Sequence, residues 1–313
     1  MPELSPCLAT RWEAVGPREA GFLAEPLPAL GDAEGAGVPP GLPPVVDAHV
    51  HLFDAGLSAA IWRWFERYGW PIRYKLRALD VVDFLLARGV EHVVALHYAH
   101  KPGIAEAMNQ HMAELCRARP RVTGLATVYP GEPDARGILE RGFDAGLAGV
   151  KLHCHVQGLA PDAAEMHDVY AVCQERDLPL VMHAGREPRS PGYRVDPHTL
   201  CDVARVERVL VDHPRLRLCI PHLGADEFDA YAELLERHDH LWLDTTMVMA
   251  GYFPVADRYD IVARRPERML YGTDFPFLPY AWDRELRRLA HALGPEALEA
   301  VLGASAKALY TIG

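Results

Sequence analysis

Two histidines separated by one residue are the first side chains in this sequence that could bind a metal ion. They are His49 and His51, in the apolar segment 45–51. Successive side chains of a β-strand point to opposite faces, so residues two apart share a face. If that face lines the interior of a barrel, both imidazoles meet at the barrel mouth, which is the geometry of a chelating pair. Taken alone, such a pair is as often structural as chemical.

Three further polar residues directly follow short apolar runs of the kind that form strands. They are His183, His222 and Asp274. In a parallel barrel the carboxyl ends of the strands meet on one face, where active sites form, so we expect all five side chains at that face. Burying several imidazoles and a carboxylate costs free energy unless they are paired, and a bound cation best explains their convergence.

Apolar runs of strand length alternate with longer amphipathic stretches from Val45 onward, which indicates repeated βα units and a parallel sheet. Eight strands alternating with helices predict an α/β protein with a closed (β/α)8 TIM barrel over residues 45–313. The predicted strands are 45–50, 91–96, 122–128, 148–153, 178–183, 216–221, 240–244 and 268–273. The predicted helices are 79–88, 104–119, 134–145, 163–176, 199–211, 227–238 and 282–293.

Three segments depart from this alternation. Residues 1–44 are rich in Pro, Gly, Ala and Glu, which predicts an irregular N-terminal arm that lies over the barrel or a partner subunit, or is disordered. An aromatic-rich insertion, 52–78, follows the first strand, and a second insertion, 184–198, follows the fifth. Both follow strands, so both are candidate lids over the active-site end of the barrel.

Five short motifs follow one another along the chain: DAHVH (47–51), GVKLH (149–153), HAG (183–185), HLG (222–224) and GTDFP (272–276). As an ordered set they resemble the amidohydrolase superfamily. The resemblance is greatest to the branch that contains aminocarboxymuconate-semialdehyde decarboxylase, and it extends from about Val45 to Tyr310. As an ordered set the motifs are specific for the superfamily, but they say little about the substrate.

This resemblance implies one divalent ion, held by His49, His51, His183 and Asp274. It also implies that Asp274 accepts a proton and that His222 is catalytic, either polarising the substrate or helping to deprotonate water. Three neutral donors and one carboxylate leave a coordination position open, and bound Zn²⁺ lowers the pKa of its water towards about 7. We expect zinc from these ligand types, while manganese or iron also fits, and we expect no organic cofactor.

The fourth predicted strand leaves the number of ions open. Lys151 and His153 have the same parity, so both are expected to face the barrel interior. In some amidohydrolases a lysine on this strand is carbamylated and bridges two ions, whereas in the mononuclear branch an unmodified lysine lies near the substrate. We favour the second interpretation, in which Lys151, with His153 beside it, binds a substrate carboxylate.

Two arginines of the second insertion are further candidates for substrate binding. Arg186 and Arg194 could hold a carboxylate in a bidentate manner, although surface pairing with Glu187 or Asp196 explains them equally well. Asp47 shares a face with the two histidines and is a candidate for orienting an imidazole. Other residues that follow predicted strands have the position for substrate contact: His97, Tyr98, Tyr129 and Thr245.

The composition and the apolar pattern of the sequence disfavour nucleic-acid and membrane partners. A formal charge of −11 and a pI near 5.8 disfavour nucleic-acid binding, which depends on cationic side chains. The sequence has no apolar run long enough for a membrane span and no signal-peptide pattern. Six cysteines without a C-x-x-C pair suit a reducing compartment. We therefore expect a cytoplasmic protein whose partner is a small-molecule substrate, and homodimerisation stays open.

The leading interpretation is a metal-dependent hydrolase that activates water to cleave an amide, ester or lactone-like bond in a small carboxylated or aromatic molecule. The nearest alternative is a nonoxidative decarboxylase of the same branch, which the sequence does not separate from a hydrolase. A TatD-like nuclease is disfavoured by the charge and by the missing acidic ligand at the end of the fourth strand. A non-catalytic metal-binding barrel is the remaining alternative.

Overall fold

Eight short, buried, parallel strands form the centre of the fold. The structure is a computed structural model, and it describes residues 30–186, 190–253 and 255–313. The strands are β1 Val46–His51, β2 His92–Leu96, β3 Val122–Gly124, β4 Val150–His153, β5 Leu180–His183, β6 Leu218–Ile220, β7 Leu241–Asp244 and β8 Met269–Leu270.

The strands close into a barrel. Continuous pairing runs from β1 to β3 and from β4 to β8. A parallel bridge between Ala126 and Val150 joins β3 to β4, and another between Val50 and Phe275 joins the segment after β8 to β1. The predicted (β/α)8 TIM barrel is therefore confirmed.

Helices surround the barrel and connect its strands. They are α1 Ala55–Tyr68, α2 Ala78–Ala87, α3 Ala105–Ala118, α4 Ala135–Asp144, α5 Cys154–Gln157, α6 His167–Arg176, α7 Pro197–Leu200, α8 Val203–Asp212, α9 Phe228–Arg237, α10 Tyr259–Arg264, α11 Arg284–Ala292, α12 Pro295–Glu299 and α13 Ser305–Tyr310. Short 3₁₀ turns occur at Ala164–Met166, His222–Gly224, Val248–Ala250 and Pro266–Arg268, and a π-helical turn occurs at Ala300–Ala304.

The structure differs from the predicted boundaries in several places; β3, for example, ends at Gly124 rather than at residue 128. The insertion 52–78 contains helix α1, whose first turn is capped by the Asp54 carboxylate accepting from the backbone N–H groups of Gly56 and Leu57. The predicted helix 199–211 begins only at Val203, because the Asp202 side chain caps it there. Strand β8 ends at Leu270 rather than 273, where the chain leaves the ladder to form the site described below.

Residues 30–44 lie along the outside of the barrel, near α2 and α11. The Gly35 N–H donates to Asp283 at 2.9 Å, and the Trp282 indole N–H donates to the Gly35 carbonyl at 3.3 Å. The Val38 N–H donates to the Arg88 carbonyl at 2.7 Å. The remainder of the predicted arm, residues 1–29, lies outside the described residues.

The described residues include no helix with the length and apolarity needed to cross a membrane. Cys116, Cys154, Cys173, Cys201 and Cys219 are all free thiols.

A buried carboxylate joins β1 to the segment after β8. Asp47 accepts hydrogen bonds from the Thr273 hydroxyl at 2.7 Å, from the Thr273 N–H at 3.1 Å and from the His49 N–H at 3.3 Å. Burial raises the pKa of Asp47 to about 7, although these hydrogen bonds act in the opposite direction. The expectation that Asp47 orients an imidazole is not met by these contacts, because its oxygens face Thr273 and the β1 backbone.

We expect the Thr273→Val variant to be destabilised by about 1–3 kcal/mol, because a buried carboxyl loses its hydroxyl partner. Urea denaturation in the presence of a chelator measures this without a contribution from ion binding. Thr273→Ser keeps the hydroxyl and serves as the control. A Thr273→Val midpoint equal to that of Thr273→Ser would show that the Asp47 contact does not stabilise the barrel.

Candidate active site

Three predicted ligands form one buried group at the barrel mouth. The Nε2 atoms of His49 and His51 lie 3.4 and 3.0 Å from Asp274 Oδ1. One donor atom of each residue lies within 4.8 Å of the other two, and all three residues are buried. Two imidazoles and one carboxylate at this spacing are suited to binding a divalent transition-metal ion. The shared parity expected of His49 and His51 on β1 produces this arrangement.

A close passage of the chain brings Asp274 to the two histidines. A Cβ atom at Gly272 would lie 2.5 Å from His49 Cβ and 2.4 Å from Thr246 Oγ1, so only glycine fits there. Asp274 then adopts φ = 69°, a left-handed conformation that is uncommon outside glycine. Burial alone would raise the pKa of Asp274, but the hydrogen bond and charge of His51, and then His49, hold it well below its usual value. The carboxylate is therefore ionised.

Asp244, at the end of β7, orients two of the site histidines, and sequence reasoning missed it. Its Oδ2 lies 2.7 Å from His49 Nδ1, and its Oδ1 accepts a hydrogen bond from the backbone N–H of His222 at 2.8 Å. An ionised carboxylate only accepts, so His49 Nδ1 carries the hydrogen and Nε2 presents its lone pair to the site. The signal was available: Asp244 ends the predicted strand 240–244, as His183 ends the predicted strand 178–183, but only its neighbour Thr245 was a candidate there.

Burial has opposite effects on the ionisation of His49 and Asp244. It lowers the pKa of His49 to about 4, so the imidazole is neutral near pH 7. For Asp244, burial alone would raise the pKa, but the contact with His49 outweighs it and keeps the pKa well below the ordinary value. The pair therefore consists of a carboxylate and a neutral imidazole, which is the form that binds metals.

His222 lies on a strained turn next to His183. Its Nδ1 lies 2.9 Å from the Thr246 carbonyl oxygen, and its Nε2 lies 3.2 Å from His183 Nδ1. Residues 222–225 all have positive φ, which stores strain of the kind found at functional sites. At Gly224, φ is 79° and an added Cβ would come within 1.9 Å of the Tyr231 ring, which explains the glycine of the HLG motif.

His183 belongs to a different group of donor atoms from the other predicted ligands. One of its nitrogens lies within 4.8 Å of nitrogens of His153 and His155. His49, His51 and Asp274 form a separate group. The role of His183 as a ligand of the first ion stays a prediction. A closed circuit of rings, with neighbouring centroids 4.0 to 5.7 Å apart, nevertheless connects the two groups: His51, Tyr98, His153, His183, His222 and His49.

Lys151 lies inside the barrel, as its parity predicts. The side chain is fully buried, and Nζ is 3.5 Å from His49 Nε2. Burial lowers the pKa of Lys151 to about 8, while Asp244 and Asp274 act in the opposite direction. In its protonated form, Lys151 can bind an anionic group of a substrate. Its deprotonated form is the one that carbamylation requires.

The two arginines differ in their surroundings. Arg186 pairs with Asp226 at 2.8 Å and with Glu227 at 3.3 Å, neither of which was the partner considered from the sequence. Arg194 is exposed on the loop before α7. Residues 187–189, which include the Glu187 considered as a partner, lie outside the described residues. A substrate carboxylate at Arg186 would have to compete with two protein carboxylates.

The two insertions contact each other near His155. In helix α1, the Trp64 indole N–H donates to the Gly192 carbonyl at 3.2 Å, and its ring lies 5.3 Å from that of Tyr193. The Tyr193 ring in turn lies 5.3 Å from His155. Their interpretation as lids stays a prediction.

Aromatic side chains surround His51. Phe53 and Phe277 stack against its imidazole at centroid distances of 5.7 and 5.5 Å, and Tyr98 meets it edge-on at 5.7 Å. These rings give the site one apolar wall beside its polar donors.

Solved structures similar to this chain share the barrel. An uncharacterized TIM-barrel protein from Bordetella bronchiseptica has a TM-score of 0.65 and 18% identity, covering 85% of this chain and 98% of that one. A second similar structure is 5-carboxyvanillate decarboxylase from Novosphingobium aromaticivorans, complexed with manganese and 4-hydroxy-3-methoxy-5-nitrobenzoic acid. Its TM-score is 0.61 and its sequence identity 15%, and the match covers 90% of this chain and 100% of that one. A probable 2-pyrone-4,6-dicarboxylic acid hydrolase from Acinetobacter baumannii has a TM-score of 0.59 and 14% identity, and the match covers 86% of this chain and 99% of that one.

At these identities the likeness shows a common fold and does not identify the reaction. A comparison with curated proteins gives no match. The family model described as Amidohydrolase matches residues 46–312, a range that contains the whole barrel and every site residue discussed above. This chain therefore belongs to the amidohydrolase family.

Proposed function

We propose that this protein is a metal-dependent hydrolase that cleaves an amide, ester or lactone-like bond in a small carboxylated or aromatic molecule. The observation that carries the proposal is the convergence of His49, His51 and Asp274 in the buried mouth of an amidohydrolase-family barrel. Barrel enzymes place their active sites at this end of the strands.

The donor set fits a divalent ion. His49 Nδ1 faces Asp244, so its Nε2 is directed to Asp274 Oδ1, and a carboxylate behind an imidazole is the usual support of a metal-binding histidine. Zinc suits two imidazoles and a carboxylate, and manganese or iron is compatible. The manganese in the similar decarboxylase structure supports a divalent ion of this group. Such an ion supplies Lewis acidity and lowers the pKa of water.

Two side chains are suited to proton transfer. Asp274 is an ionised carboxylate with Oδ1 at the centre of the donor group, so it can accept a proton from attacking water. The Thr246 carbonyl only accepts, so His222 carries a hydrogen on Nδ1 and accepts at Nε2 when neutral. Once protonated at Nε2, His222 can donate to a substrate oxygen.

The surroundings favour a flat anion. The rings of Phe53, Tyr98 and Phe277 supply apolar contact beside His51. Lys151 adds a buried cation 3.5 Å from His49 Nε2, where it can attract a carboxylate. Arg186, with two carboxylate partners already, is a weaker candidate for this role.

The same wall and cation also suit a nonoxidative decarboxylase, which is the second candidate. A carboxylated aromatic ring stacked beside His51 is a substrate for either reaction, and one similar solved structure is a 5-carboxyvanillate decarboxylase. Product analysis separates the two: a decarboxylase releases CO₂ without cleavage by water. A hydrolase instead incorporates one oxygen atom from ¹⁸O-labelled water.

We expect His51→Phe to lose one equivalent of bound metal per chain and to lose turnover. Phenylalanine preserves the ring packing against Phe53 and Phe277 but offers no nitrogen donor. Plasma mass spectrometry of the purified protein and a screen of esters, lactones, amides and carboxylated aromatics measure both effects. His291→Phe, at an exposed position of α11, is the matched control. Unchanged metal content in His51→Phe would contradict the proposed ion site.

We expect Lys151→Met to raise the KM for a carboxylated substrate roughly 10- to 100-fold, because a hydrogen bond to a charged group contributes about 1.5–3 kcal/mol. Metal content should stay at the wild-type level, since methionine is unbranched, only one atom shorter than lysine and suited to apolar burial. Steady-state kinetics on the substrate found in the screen provides the measurement. Loss of metal from this variant would instead support a carbamylated lysine that bridges two ions.

We expect Asp244→Asn to weaken metal binding roughly 10- to 100-fold, because the amide no longer fixes the His49 tautomer and orientation. Competition against a chromogenic chelator gives the dissociation constant. Asp229→Asn, at an exposed residue of α9, is the control. Equal affinities of the two variants would show that Asp244 does not support a metal ligand.

A further inference from the structure

A second group of histidines lies near the first: His222 contacts His183 of the second group, and its ring lies 5.5 Å from that of His49 in the first. His153 ends β4, His155 lies in the short helix α5, and His183 ends β5. All three residues are buried, and one nitrogen of each lies within 4.8 Å of the other two. The proposed function uses neither His155 nor this grouping.

The rings converge from two neighbouring strands. His153 and His183 are paired in register across β4 and β5, and their rings stack with centroids 4.0 Å apart. The His155 ring lies 5.0 Å from that of His183 and 5.5 Å from that of His153, at steep angles to both. Three imidazoles thus lie close together, flanked by the rings of Tyr98 and Tyr193.

A glutamine holds the turn that brings His155 back toward His153. Gln157 Oε1 accepts from the His153 N–H at 3.0 Å. Its Nε2 donates to the Ala99 and Val128 carbonyls at 3.0 and 2.8 Å. Gly158 then ends α5 with φ = 70°. These bonds fix the backbone that carries two of the imidazoles, so the cluster does not depend on a loose loop.

We propose that His153, His155 and His183 form a second metal site, separate from the group of His49, His51 and Asp274. Three imidazoles suit zinc, copper or nickel, whereas magnesium and manganese prefer sites rich in oxygen donors. His183, which the family resemblance implies as a ligand of the first ion, is then a ligand of the second. The two sites would be neighbours, since His222 contacts His183 and its ring lies 5.5 Å from that of His49.

The neutral donors have a chemical consequence. An ion held by three imidazoles keeps its two positive charges and has coordination positions left, so it attracts an anionic ligand. Arg186 is already paired with Asp226 and Glu227, so it is poorly placed to bind a substrate carboxylate. The second ion would instead give that carboxylate a binding partner in addition to Lys151. This consequence rests on the proposed function, whereas the site itself does not.

Calorimetric titration of the chelator-treated full chain with Zn²⁺ tests the site. Wild type and the exposed control His291→Phe are compared with His155→Phe, His51→Phe and the double variant. Phenylalanine keeps the ring against Tyr193 while removing both nitrogens, and His183 is left unchanged because both assignments use it. Circular dichroism checks folding, and His153→Phe replaces His155→Phe if the latter does not fold.

We expect two equivalents of Zn²⁺ for wild type and the control, one for each single variant and none for the double variant. The second site is overturned if His155→Phe binds as much Zn²⁺ as wild type, whether that is one equivalent or two. If only His51→Phe loses an ion, the proposed function stands and the second site fails. If only His155→Phe loses one, the second site stands and the proposed function fails.

Discussion

The pairing of the Asp244 carboxylate with His49 is the interaction on which the site depends. At 2.7 Å, this contact sets the His49 tautomer and turns Nε2 toward Asp274. The other oxygen of Asp244 holds the backbone of His222, so one buried group links β7 to both the candidate metal centre and the candidate acid–base residue. Leaving such a carboxylate buried without these partners would cost several kcal/mol, so the folded barrel and the oriented site support each other.

Barrel closure brings the remaining groups to the same place. The segment after β8 passes so close to His49 that only Gly272 fits, and Asp47 binds Thr273 just below it. Asp274 follows in a left-handed conformation, and its carboxylate contacts the Nε2 atoms of His49 and His51. The strain at Asp274 and at His222 is thus maintained by contacts made elsewhere in the barrel, which is how strained functional residues persist.

Much of the fold could be predicted from the sequence because it depends on short-range patterns. Apolar runs located all eight strands, and parity on β1 and β4 placed His49, His51 and Lys151 in the interior. Helix α1 was not predicted, because its aromatic residues resemble a binding wall as much as a helix face. Asp244 was missed although it ends a predicted strand, because its role depends on contacts with β1 and with the turn after β6, which no local pattern shows.

The environment of a charged side chain was the least predictable feature. Arg186 was a candidate for substrate binding, and its partners Asp226 and Glu227 lie some forty residues further along the chain. Similarly, the grouping of His183 with His153 and His155 depends on how β4, α5 and β5 are arranged at the mouth. Interpretations of this type need tertiary contacts that no spacing rule supplies.

Anomalous X-ray diffraction at the zinc absorption edge, from crystals of the zinc-loaded protein, tests the central claim most directly. The account predicts a peak about 2.0–2.2 Å from the Nε2 atoms of His49 and His51 and from an Asp274 oxygen. Zinc bound elsewhere, with no anomalous density between these three side chains, would contradict it.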